Sequence, residues 1–143
     1  MSTRDAQAPA DAQFMQRWSP RAFNGAALNH DQVMALIEAA RWAPSCFNSQ
    51  PWRFVYAIKG SEHWPAMLAL LMDMNQAWAQ HAGALFAVVS RNTYQGNDAP
   101  APTHSFDTGA AWMSLALQAQ SMGLASHAMC CLLYTSPSPR DQR

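Results

Sequence analysis

Charge is scarce in this chain. Only 13% of its 143 residues are Asp, Glu, Lys or Arg, and the two signs cancel. A neutral chain offers no basic stripe for DNA or RNA and no polybasic patch for acidic lipid. Nucleic acid and membrane are therefore excluded as expected partners. Lysine is represented by Lys59 alone. Long hydrophobic runs are missing too, since "MLALLM" is soon followed by Asn75 and Gln76, far short of the roughly 20 apolar residues that cross a bilayer. The opening "MSTRDAQAPADAQ" lacks the basic-then-apolar order of a secretion signal. Residues 1–13 are expected to be a flexible lead-in, and the expected location is cytoplasmic.

Cysteine is also sparse, with three residues, two of them adjacent near the end. The stretch "CLLYTSPSPRD" that holds the last of them resembles the in-frame translation of a transposase adapter used in sequencing libraries. It has no hydrophobic period and carries two Ser-Pro pairs. Native sequence is accordingly expected to stop near Cys130, with residues 131–143 a non-native tail. Cys46 then remains as the securely native thiol, and no disulfide or zinc framework is available.

The familiar catalytic sets are absent as well. His30, His63, His81, His104 and His127 are scattered without metal-ligand spacing, and for each a surface or packing role is the commoner reading. Cys46 lacks a glycine elbow, and nothing in the sequence pairs it with a base. No glycine-rich phosphate loop occurs. An enzyme built this way would leave bond-making to a cofactor.

What is present is a core. Half of the residues are hydrophobic, in a length suited to one domain. "LNHDQVMALIEAARWAP" predicts a helix with Asn29 as N-cap, Gln32 completing a capping box, and Val33, Leu36, Ile37 and Ala40 on the inner face. Pro44 stops it. "WRFVYAIKG" predicts a strand from residue 52 to residue 58, ended by Gly60. Helix is expected again from about residue 62, broken near Asp73. "ALFAVVSR" reads as a nearly all-apolar strand suited to the centre of a covered sheet. Residues 92–104 form a long loop with a Gly-Asn turn signal, expected to be a lid or pocket wall. "FDTGAAWMSLALQAQSMG" predicts a helix with Trp112, Leu115, Ala119 and Met122 among its apolar positions. Its opening Gly109-Ala110-Ala111 is smooth enough for another helix to approach. "LASHAM" begins a last strand. The order predicts a sheet covered by helices.

Two segments carry chemistry. In "QRWSPRAF", Arg17, Ser19 and Arg21 stand two apart, so an extended strand turns all three to one side. Two guanidinium forks and a hydroxyl suit a phosphate, although three such residues are more often a solvated edge. One helix later, "RWAPSCFNSQPW" places Ser45, Asn48, Ser49 and Gln50 between prolines and tryptophans. Trp42 and Trp52 are expected to pack in the core.

Together, "RWSPRAF", a capped helix and "APSCFNSQPW" resemble the N-terminal half of the FMN-dependent nitroreductase family. "NQAWAQHA" and "DTGAAWMSLALQAQSMGLASHAM" fit as well, so the resemblance spans residues 14–129. It implies an α+β fold, a nitroreductase-like three-layer sandwich with a mainly antiparallel sheet covered by helices, incomplete at the C-terminus. The domain would span residues 14–130. The resemblance further implies FMN as cofactor, NAD(P)H as reductant and a homodimer with FMN sites at the subunit interface. Arg17 and Ser19 match positions that hold the FMN phosphate and ribityl chain, with Trp18 between them. Arg21 matches a basic position near the pyrimidine edge of the ring, and Asn75 an amide bonding that edge. Pro44, Ser45, Cys46 and Asn48 match a segment lent by the other subunit. Ala128 and Met129 would approach the dimethylbenzene or N5 side. Trp18 and Cys46 stand where relatives often carry other residues.

The implied reaction passes hydride from NAD(P)H through flavin N5 to a nitroaromatic, quinone or similar small-molecule acceptor in a ping-pong cycle. No protein general acid is demanded. Relatives use basic residues near their C-terminus to complete the phosphate site, so the chain as written is expected to bind FMN poorly or not at all and its full-length parent to be a competent oxidoreductase. The alternatives are a flavin-destructase or azoline-oxidase type of relative and a non-catalytic flavin-binding module.

Overall fold

The computed structural model describes residues 6–129. Cys130 and the stretch expected to be a foreign tail lie outside the described residues. Five helices and two strands follow in the order α1 Ala12–Gln16, α2 His30–Arg41, β1 Trp52–Ile58, α3 Trp64–Ala69, α4 Asp73–Ala79, β2 Ala84–Ser90 and α5 His104–Ser121, with a 3-10 turn at Cys46–Asn48.

Local chemistry accounts for most of these limits. Asn29 caps α2 by accepting from the Gln32 backbone N–H, while the Gln32 side chain accepts from the Asn29 backbone in return. Val33, Leu36 and Ala40 are buried, as the helical spacing predicts, and Ile37 is half-buried. The helix ends at Trp42, two residues before Pro44. The predicted break in the next helical stretch falls at Met72, whose ψ of 147° is extended. Gln76 Nε2 donates to the carbonyl left free at Leu71, 2.7 Å away. α5 stops where Gly123 takes a φ of 71°. There the Leu124 N–H bonds the Ala119 carbonyl and the Gly123 N–H bonds that of Gln120, the pairing by which a left-handed glycine closes a helix.

β1 and β2 pair antiparallel, from Trp52 opposite Ser90 to Ile58 opposite Ala84. Alternation along the strands then sorts the side chains into two layers. Trp52, Phe54 and Phe86 face α2 and α5, where Leu36, Ala40, Ala111, Leu115 and Ala119 complete a core. Leu85 faces the other way, into a second core with Leu71, Ala79 and Ala82 from the α3–α4 side. Helices thus cover both faces, and the fold is α+β in three layers.

Four expectations change. Residues 124–129 join no strand among the described residues: the Leu124 N–H closes α5, and His127 and Met129 make side-chain contacts. β2 is not covered throughout: Val88 and Val89 are exposed, and the described sheet has two strands. Trp52 is core as expected, but Trp42 is 74% exposed. Its indole N–H donates to Glu38 Oε1 at 2.9 Å, and the Arg41 guanidinium lies 4.9 Å over its ring, so a polar neighbourhood holds it outside. At the N-terminus, α1 begins at Ala12 under an Asp11 cap, inside the stretch read as lead-in.

Candidate functional site

The expected site residues fall into two groups. The first forms around extended chain between α1 and α2. The Arg17 guanidinium donates to Ser19 Oγ at 3.4 Å, so both side chains lie on one side of the segment as the two-residue spacing requires. Trp18, Ser19 and Arg21 are exposed and Arg17 is half-buried, while Pro20 is buried. The Pro20 carbonyl accepts from His127 Nδ1 at 2.9 Å. His127 packs on Trp78, with ring centroids 4.7 Å apart, and Trp78 stacks on Phe23 at 6.2 Å.

Three distant parts of the chain therefore meet. Asn75 is half-buried on α4, about one helical turn before Trp78, and is not among the residues that line the cavity beside this cluster. Ala128 and Met129 follow His127 directly, and Met129 packs against the Leu71–Leu85 core. These two residues also line a cavity of about 730 Å³ with Phe23, Phe86 and Trp112. That cavity is mainly apolar, and Arg17, Ser19 and Arg21 are not among its lining residues. Ser19 and Arg21 are exposed beside it and Arg17 is half-buried.

The second group is residues 44–48, anchored by different partners. The Cys46 backbone N–H donates to Asp107 Oδ2 at 3.1 Å, and Thr103 Oγ1 donates to the same oxygen at 3.1 Å. Asp107 is only 4% exposed. Tyr94, from the loop after β2, donates its hydroxyl to Cys46 Sγ at 3.6 Å. That bond, with partial burial and the neighbouring Cys46 and Asp107 charges, pushes the Tyr94 phenol above its ordinary pKa. The loop is a small hairpin, closed by the Tyr94 N–H to the Ala99 carbonyl and the Ala101 N–H to that of Asn92. It walls a shallow cleft with Phe47, Asn48 and Ser49.

Backbone strain concentrates in this second group. Phe47, Asn48 and Gln50 have φ of 52°, 53° and 46°, a region that costs a side-chain-bearing residue on the order of 1–3 kcal/mol unless its surroundings hold it there. Here they do. Ser45 Oγ accepts from the Gln50 N–H, Gln50 Nε2 donates to Asn48 Oδ1, and Arg53 Nη1 donates to the Gln50 carbonyl. Pro44 is exposed, and Phe47 is exposed at 89%. None of residues 44–48 lines the cavity that Ala128 and Met129 share.

Asp107, Tyr94 and His127 were not among the residues singled out for the site. Asp107 had a signal, as an acidic residue in the first turn of an apolar helix. Tyr94 and His127 act through contacts 48 and 107 positions away, which no local pattern shows. Among the described residues no group of three or more His, Cys, Asp or Glu could hold a metal ion, and no helix is long and apolar enough to cross a membrane.

A two-faced helical cover on an antiparallel sheet, with basic extended chain beside an aromatic cluster, defines an α+β protein of a recognisable class. The chain matches the sequence profile of the nitroreductase family over residues 14–136, and it belongs to that family. A crystal structure described as the oxidoreductase containing FMN shares 47% identity and a TM-score of 0.86, over 90% of this chain and 67% of that one. More distant relatives show the same fold. A nitroreductase family protein from Streptococcus pneumoniae is 18% identical with a TM-score of 0.70, over 84% of this chain and 76% of that one. An FMN-dependent nitroreductase from Clostridium difficile is 19% identical with a TM-score of 0.63, over 80% and 63% respectively. The chain thus spans about two thirds of the length of these structures. No curated protein sequence matches it.

Proposed function

We propose that the protein is a subunit of a cytoplasmic, homodimeric flavin oxidoreductase. It would bind FMN and carry reducing equivalents from NAD(P)H to a nitroaromatic, quinone or similar acceptor. The observation that carries this reading is the first cluster: His127 joins the segment of the Arg17–Ser19 pair to Trp78 on α4, with residues 128–129 following it directly.

The donor set fits the cofactor. The Arg17 guanidinium and the Ser19 hydroxyl suit phosphate oxygens, Arg21 follows two residues on, and an apolar wall lies beside them. When bound, FMN supplies the hydride chemistry at N5. Arg17 and Ser19 would hold its phosphate and ribityl chain. Arg21 would place positive charge at the pyrimidine edge, where it favours negative charge gained on reduction. Asn75 would bond the same edge, and Ala128 and Met129 would cover the dimethylbenzene side. Residues 44–48 are clamped to Asp107 and Tyr94 rather than to this cluster, which suits a segment presented to the flavin of a second copy.

The test is a titration of the purified protein with FMN, then NADPH, then a nitroaromatic. Bound flavin is expected to bleach with NADPH and recolour with the acceptor. Arg17→Ala is expected to weaken FMN binding by roughly tenfold to a hundredfold, since a charge-assisted hydrogen bond contributes about 1.5–3 kcal/mol. A bound flavin that NADPH never reduces would identify a binding module. Fragmented or desaturated substrate would identify the destructase or azoline-oxidase chemistry. Failure of the full-length protein to take up FMN at all would end the proposal.

A further inference from the structure

The extended chain from Arg17 to Arg21 belongs to no strand, so no ladder of backbone bonds sets its register. A one-residue slip would turn Arg17, Ser19 and Arg21 to the opposite side. What fixes it must be tertiary, and His127 makes that contact. A carbonyl oxygen only accepts, so His127 Nδ1 carries the proton and donates it to Pro20, 2.9 Å away. The same imidazole packs on Trp78, and Trp78 stacks on Phe23. One histidine thus holds residues 20–23 twice, by a directed bond to the backbone and through a column of rings. Pro20 is buried between exposed Ser19 and exposed Arg21. Fixing its carbonyl orients the Pro20–Arg21 peptide plane, and the proline ring fixes the φ that relates it to the plane from Ser19.

We propose that His127 is the positioning residue of the anion grip: through Pro20 it holds the segment in the register that presents Arg17 and Ser19 to one phosphate group and leaves Arg21 for the ring edge. This rests on the reading that the segment takes the FMN phosphate. His127 itself does not touch the phosphate; it acts through Pro20. It also couples the two walls of the site, because the residues after it, Ala128 and Met129, line the adjoining cavity.

The test uses the whole chain with His127→Leu and His127→Asn. Leu keeps apolar bulk against Trp78 and removes the donor. Asn places an amide N–H as many bonds from its Cα as the histidine Nδ1, without the ring. FMN affinity, read by quenching of flavin fluorescence, is expected to fall at least tenfold in His127→Leu and to stay within about threefold in His127→Asn, as loss of one buried bond and its restoration imply. Hydrogen exchange of residues 17–23, measured without FMN, is expected to speed up in the Leu variant and recover in the Asn variant.

If the unaltered chain takes up no FMN, the exchange measurement alone decides the role of His127; only failure of the full-length protein to take up FMN ends the proposed function. A folded His127→Leu with unchanged exchange and unchanged FMN affinity overturns the proposal. Equal losses in both variants also overturn it, because the histidine would then serve packing alone. Should His127→Leu fail to fold, the Asn variant decides: near-native affinity or exchange supports the proposal, and loss refutes it.

Discussion

Glycine 83 shows how one missing side chain holds the approach to the site. A Cβ there would stand 2.3 Å from the Ala26 carbonyl oxygen and 2.5 Å from Leu28 Cδ1. The glycine carbonyl meanwhile accepts from Leu28 N–H at 3.3 Å and Lys59 N–H at 3.0 Å. The chain leaving the basic segment is thus pressed against the turn before β2 at a distance no other residue allows. The Leu28 side chain can move aside, but the Ala26 carbonyl is backbone and must carry its neighbours with it. Gly83→Ala is expected to destabilise the fold by about 1–3 kcal/mol, the usual cost of overpacking. Urea unfolding measures it; a midpoint equal to that of the unaltered chain would show that residues 24–28 are not held there.

At the scale of elements, the end of α2 carries the clearest titration. Glu38 accepts from Arg41 Nε and Nη2 at 2.9 and 2.6 Å and from the Trp42 indole. These bonds, with the Arg41 bond the largest cause, lower its carboxyl from 4.5 to about 2. A depressed carboxyl stabilises the folded state above its unfolded pKa and loses that contribution as pH falls through the folded one. The window therefore runs from about 4.5 down to about 2. Comparing thermal melts of the unaltered chain and Glu38→Gln across that range should show the difference between them shrinking toward acid, by a small amount because the group is exposed and screened. A constant offset between the two would leave the ion pair without a stabilising role.

The same helix shows what is legible without coordinates. Its capping box is a contact three residues long, so Asn29 and Gln32 announce it by spacing alone. β1 is equally plain, because alternation and the Gly60 stop are local. Trp42 misleads because bulk suggests burial, whereas its fate is decided by Glu38 and Arg41. The segment 124–129, in no strand among the described residues, misleads for a related reason. Its composition suits a strand, but Gly123 commits the Leu124 N–H to the helix end. In the site, the order of Arg17, Ser19 and Arg21 can be read directly, while the His127 and Asp107 clamps that hold the two halves depend on tertiary contact.

For the whole molecule, the decisive surface is the outer side of α5. Phe106, Gly109 and Met113 follow at helical spacing, and Phe106 is 79% exposed. Phe106 adjoins Asp107, whose carboxylate holds Cys46, so exposed Phe47 belongs to the same region. Among the described residues no atom outside its own stretch of helix lies within 4 Å of where a Gly109 Cβ would be, and Gly109 also borders the apolar cavity, so this smooth face is open in the single chain. An apolar region of this kind beside a strained, clamped loop suits contact with a partner. In the proposed homodimer a two-fold axis presents each substitution twice. Phe106→Glu would bury two unpaired carboxylates at the contact, which costs several kcal/mol, while leaving the exposed face of the monomer almost unchanged in stability. Sedimentation equilibrium is expected to show a dimer for the unaltered chain and a monomer for Phe106→Glu, with unchanged circular dichroism. If residues 44–48 serve the flavin of the second copy, FMN affinity must fall with the dimer. A folded, monomeric Phe106→Glu that keeps full FMN affinity would place every contact within one chain and remove the shared site.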